Sequence, residues 1–137
     1  MSFEEKSVWV QLISMVVLLG SYFVVAMQMI RDGIDALPAF APLFAVTVVL
    51  MVIVIAVGHA VAAIAGRPEG RDERDRLITW RAESNSSWML ASGVILAIAG
   101  LVLSVANVWI AHLLLLSMFV AEVARFVFQL VYYRRGI

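Results

Sequence analysis

Four long apolar blocks alternate with short polar stretches along this chain, and they cover residues 8–29, 41–65, 87–108 and 110–133. Each is close to the about 20 residues that a helix needs to cross about 30 Å of hydrocarbon. Backbone groups in lipid must be satisfied internally, which leaves helices or closed barrels. These blocks are too long and unbroken for barrel strands. The pattern predicts an all-α membrane protein, a single domain built as a four-transmembrane-helix bundle.

The connections set the pairing. "IRDGIDALPAFAP" separates the first two blocks and carries Gly33, Pro38 and Pro42 as breakers. Only a few residues around Asn107 separate the last two, which predicts a tight hairpin. The expected layout is two antiparallel hairpins joined by a charged segment over 67–86. No repeat relates the two halves, so an inverted-repeat transporter plan has no support.

Basic residues set the direction. Lys6, Arg67, Arg71, Arg74, Arg76, Arg81, Arg134 and Arg135 fall on one side, against Arg31 alone on the other. The excess of Lys and Arg marks the cytoplasmic face, so both termini and the middle segment are expected there. Trp9, Trp80, Trp88, Trp109, Tyr132 and Tyr133 fall near the expected interfaces, where amphipathic rings anchor. The opening Met1-Ser-Phe-Glu-Glu-Lys is acidic and no small-residue cleavage site follows, so the first block reads as a retained anchor.

Composition agrees. Of 137 residues, 64% are hydrophobic and 15% charged, an apolar excess that a soluble core of this size could not hide. Zero net charge provides no field to recruit nucleic acid, which is not an expected partner. The absence of Cys excludes disulfides and thiolate chemistry.

Small and weakly polar residues recur at seven-residue intervals inside the blocks. Ser7, Ser14, Ser21 and Gln28 do so in the first, and Ser86, Gly93, Gly100 and Asn107 in the third, with Ala97 and Ser104 beside them. Ala56, Ala60 and Ala63 add a similar series in the second. Such spacing holds residues on one slowly drifting face, and small residues mark packing faces in lipid. Ser14, Ser21, Gly93, Ala97, Gly100 and Ser104 are the expected helix-packing positions. A polar lining around a pathway would produce the same stripes.

The fourth block carries Glu122 and Arg125 three residues apart. Glu122 falls near mid-depth, where an ionised side chain costs at least ~2.5–3.5 kcal/mol on insertion scales. Three readings are open: an ion pair that fixes packing, a proton or cation site, or a seam between protomers. His59 in the second block and Gln129 in the fourth are candidates to join this intramembrane polar cluster. His112 lies at the opposite end from His59, so the two should not share a metal. No metal or cofactor is expected. No HExxH, phosphate loop or Ser-His-Asp set appears, which makes catalysis the weakest class.

The segment "GRPEGRDERDRLITWRAESNSS" carries ten charges between Arg67 and Glu83. Asp72 can cap a helix with Asp75 at its third position. A short helix is expected, lying at the interface or extending the third span. Its near-balanced charge argues against polyanions. Arg71, Asp72, Glu73, Arg74, Asp75, Arg76 and Arg81 form a candidate docking surface for a cytoplasmic protein, or else a solvated connector.

The Asp72–Ile78 run and the closing "VYYRRGI" resemble a group of small prokaryotic four-span membrane proteins of unknown function with a D-E-R-D-R-x-I-like loop. The resemblance implies a regulatory partnership and brings no catalytic residues; the layout as a whole is read as a multi-pass inner-membrane protein. Ser84–Ser87 replaces a bulkier start to the third span, which puts a straight helix there in question. The favoured reading is a non-catalytic, homo-oligomeric module that binds a regulatory partner through its charged segment. The alternative is a small channel or transporter using Glu122 and Arg125, and a remote third is a haem- or metal-binding subunit through His59.

Overall fold

A computed structural model describes residues 3–65 and 72–136. Four long helices make up most of them: α1 (Phe3–Arg31), α2 (Ala41–Ala65), α3 (Glu73–Val102) and α4 (Asn107–Arg135). A 3-10 turn, Leu37–Phe40, leads into α2. All four long helices are long and apolar enough to cross a membrane, which marks a multi-pass membrane protein by length and composition. The expected block 41–65 coincides with α2. Residues 66–71, which include the start of the charged segment expected over 67–86, and the side chain of Ala63 lie outside the described residues.

The structure decides one expectation about the third block and corrects two others. Of the two placements expected for the charged helix it takes the second, since residues 73–86 extend the span as the first turns of α3 itself. The serines do not break it, because Ser86 and Ser87 turn their hydroxyls onto the Glu83 and Ser84 carbonyls and leave the helix ladder intact. At its other end α3 stops at Val102, six residues before the expected limit. Ser104 adopts a left-handed backbone (φ 57°), the Val105 N–H donates to the Gly100 carbonyl at 2.9 Å, and the Ser104 N–H donates to Leu101 at 3.0 Å. Such a Schellman-type closure ends the helix without glycine. Ser104 is therefore an exposed turn residue, not a packing residue, and Asn107 is the first residue of α4.

Neighbours follow the order α2, α1, α4, α3, and α2 and α3 share no extensive interface among the described residues. Among the described residues the bundle is not closed into a ring. α1 and α4 meet through large side chains at both ends. Tyr22, Ala26, Phe40 and Val108 cluster at one end, and Val8, Phe126 and Leu130 at the other. The α3 helix uses small residues instead: from Ile78, Ala82, Ser86, Gly93 and Ala97 are buried at steps of four, four, seven and four. Gly93 faces Ser117 so closely that a Cβ on Gly93 would overlap the serine side chain and stand 3.6 Å from its Cα. At Gly100 a Cβ would lie 3.5 Å from Ile110, an ordinary contact.

Gly93 and Ala97 thus lie on the expected packing face, with Gly100 half-buried. The first-block series departs from expectation. Ser7 is buried and Ser14 half-buried, but Ser21 is exposed and donates to its own helix at the Val17 carbonyl, 2.6 Å away. A seven-residue step slips about 20° on a straight helix, so the series leaves the contact face and Tyr22 takes the buried place. Ala56 and Ala60 are also exposed, and Gly58 approaches α1 instead, at Val10.

The Gly93 contact sets a stability prediction. Gly93→Ala should destabilise the bundle by about 1–3 kcal/mol despite alanine's better helix propensity. Adding Ser117→Gly should recover part of the loss, beyond what the two single changes predict by addition. Thermal unfolding in bicelles of the two single variants and the pair measures this coupling.

Candidate functional site

The charged start of α3 is built from its cap outward. Asp72 has extended backbone (φ −74°, ψ 161°), and its carboxylate accepts from the Asp75 backbone N–H while Asp75 returns the bond to the Asp72 N–H at 3.2 Å. Glu73 donates to Asp72 as well, at 2.7 Å. Such reciprocal capping satisfies donors that a helix start otherwise leaves open, and acidic residues in the first turn suit the positive end of the helix dipole.

Asp75 has a second role. Its other oxygen accepts from the Tyr133 hydroxyl of α4 at 3.0 Å. Arg74 reaches the Tyr133 carbonyl at 3.5 Å, and Asn85 donates to the Tyr132 hydroxyl at 2.6 Å. Three contacts over 12 residues of α3 thus fasten its polar turns to the last turn of α4. Glu73, Arg74, Arg76, Arg81 and Glu83 remain exposed on that held segment. Of the expected docking residues, Asp72 to Arg76 and Arg81 therefore sit on one rigid helix. Arg71 lies outside the described residues.

The intramembrane candidates do not form one cluster. Glu122 and Arg125 pair within α4, and the guanidinium also stacks on Phe126, 4.6 Å from the ring centroid. The pair is not enclosed: 37% of Glu122 and 27% of Arg125 stays accessible. Arg125 also buries an Nε with no partner. Gln129 is buried one turn further on.

His59 belongs elsewhere. Its Nδ1 donates to the Ile55 carbonyl at 2.8 Å, which leaves Nε2 to accept from Ser7 at 3.3 Å, with Gln11 at 3.5 Å. His59 therefore joins α2 to α1 instead of reaching Glu122. Ser7 and Gln11 also bond each other, at 3.1 Å.

A polar contact that the sequence reading did not single out lies between α1 and α4. His112 is buried, donates from Nδ1 to the Val108 carbonyl at 2.7 Å, and takes the Tyr22 hydroxyl on Nε2 at 3.2 Å. The Tyr22 ring stacks on the imidazole at 5.9 Å and 17°, and Phe40 meets it edge-on at 4.9 Å. Tyr22, Phe40 and Phe44 also line an open apolar groove of about 400 Å³ with Leu114 and Leu115. The signal was faint, since a tyrosine amid aliphatics and a histidine near a helix end are ordinary in isolation. Among the described residues, no three His, Asp or Glu side chains gather as metal ligands.

Comparison with protein-family models, curated proteins and solved structures finds no match to this chain.

Asp75 joins cap and clasp, so Asp75→Ala should remove the clasp and the returning half of the capping box, while Asp72 still caps the helix. The expected cost is about 1–2 kcal/mol. Hydrogen exchange should show it locally, with faster exchange of the first α3 amides and little change around Gly93.

Proposed function

We propose that this protein is a non-catalytic membrane module that engages a regulatory protein through the charged turns of α3. One observation supports the reading best: those turns continue a membrane-spanning helix and are capped and clasped to α4 while their charges stay exposed. A solvated connector needs neither a cap nor a clasp. A docking surface benefits from both, because a pre-ordered surface avoids the entropy of ordering on binding.

The same reading takes the helices as two antiparallel hairpins in a prokaryotic inner membrane, with both termini and the charged turns cytoplasmic. Gly93 against Ser117, Gly100 against Ile110 and Asn85 against Tyr132 support the pairing of α3 with α4. The distribution of basic residues supports the direction. The Asp72–Ile78 run supports kinship with the small four-span group, whose implied regulatory partnership fits the exposed face.

The test is a reversal of charge where no structural bond is lost. Arg76→Glu with Arg81→Glu should leave the thermal unfolding of the detergent-solubilised protein nearly unchanged. A soluble protein that co-purifies with the native chain should drop by about tenfold or more, as expected when a few exposed charges steer docking. Equal recovery with the variant would rule out this surface.

A second reading, a small channel or transporter, draws on the half-exposed Glu122–Arg125 pair near mid-helix. On that reading Glu122→Gln alters ion flux in proteoliposomes at unchanged assembly. A change in stability alone would return the pair to a packing role.

A further inference from the structure

The Glu122–Arg125 pair is poorly provided for by its own chain. Trp109 and Tyr132 mark the two ends of the apolar part of α4, about 35 Å apart at 1.5 Å per residue, and Glu122 lies within about 3 Å of the midpoint. On either side α4 is taken: Ser117 faces Gly93 of α3, and Phe126 packs with Val8 of α1. Among the described residues, neither α1 nor α3 offers Glu122 or Arg125 a polar group. Both charges remain partly accessible between those two flanks.

Helical periodicity puts Leu114, Met118, Glu122 and Arg125 on one strip of α4. Leu114 and Met118 are exposed, at 38% and 41%. The strip is therefore apolar toward the Trp109 end and charged in the middle. Lipid tails could cover Leu114 and Met118, but they would leave two ionised groups facing hydrocarbon.

Resting on the reading of the four helices as membrane spans, we propose that this strip is the seam of a homodimer, in which Glu122 of each copy faces Arg125 of the other. Two copies inserted in the same direction are related by a two-fold axis along the membrane normal, and such an interface presents the same patch from both sides. The strip is complementary to itself in charge. Glu122 and Arg125 differ in height by about 4.5 Å, an offset that an arginine side chain spans. The dimer places four charges of alternating sign in one ring, so each carboxylate lies between two guanidinium groups. A different protein would need to bring its own acid and base at matching depth, whereas a second copy does so by symmetry.

The chain has no Cys, so a single introduced cysteine reports alone. In native membranes under mild oxidation, Met118→Cys should give a disulfide-linked dimer. Val120→Cys, two residues away on the opposite exposed flank, should stay monomeric. A second experiment reverses one charge per copy. In the Met118→Cys background, Glu122→Arg and Arg125→Glu should each cut cross-linking roughly tenfold when expressed alone. Co-expressed with different tags, the two should cross-link to each other, because one copy then carries two bases and the other two acids.

A pair that serves only within its own helix gives no such mixed dimer. Equal cross-linking at Met118→Cys and Val120→Cys, cross-linking at neither, or no mixed dimer from accumulated variants would overturn the seam. Should the charge variants fail to accumulate, the cysteine comparison in the otherwise native chain decides. If the native chain stays in the membrane pellet after alkaline extraction while cross-linking fails, only the seam is lost. If it is released, the membrane reading falls and the seam with it.

Discussion

Close approach between helices is the constraint on which this architecture depends. In hydrocarbon, burying a leucine against another helix gains little over leaving it in lipid, so association rests on packing and on polar bonds that lipid cannot offer. The α3–α4 contact meets this at Gly93, where the missing side chain lets the helices come together over Ser117. Ser117 brings no unsatisfied hydroxyl to the contact, because it bonds back to the Leu113 carbonyl at 2.7 Å. The α1–α4 contact meets the same constraint differently. It uses large rings and places its one buried hydroxyl–imidazole bond, Tyr22 to His112, where both partners are satisfied.

These two solutions explain what the sequence showed and what it hid. Block length and apolarity sufficed for four helices, because satisfying the backbone in lipid leaves few other forms. The cap at Asp72 and Asp75 was legible too, since capping depends on residues three apart in one local segment. Gly93 and Ala97 could be read from small-residue spacing. Ser21 and Ser104 could not be sorted from them, because spacing says which residues share a face but not where the helix ends or how far the face drifts. The turn at Ser104 and the slip to Tyr22 are decided by three-dimensional neighbours.

The same limit applies to the candidate sites. That Glu122 and Arg125 would pair was implied by their spacing, as i and i+3 on a helix are neighbours. That His59 would turn to Ser7 and Gln11 required knowing which helix α2 lies beside. The clasp between Asp75 and Tyr133 joins residues 58 apart, and no local pattern announces it. Among the described residues, long-range polar contacts are few, and each follows from which helix lies next to which.

The distribution of charge then acquires a mechanical sense. Polar turns that merely emerge from a membrane are free to fray, because water satisfies their backbone as well as the helix does. Here the first turns of α3 are closed by a cap and tied to α4 at Tyr132 and Tyr133, while Gly93 and Ser117 lock the same two helices further along. Two fixed points on one pair of rigid rods leave little freedom for the rods to move apart. A shift of α4 within the membrane would therefore carry the exposed arginines of α3 with it, since the clasp joins them over roughly one helical diameter. On the docking role proposed for it, a face tied in this way is suited to reporting the state of the bundle to a bound protein, whereas a loose connector would absorb the movement.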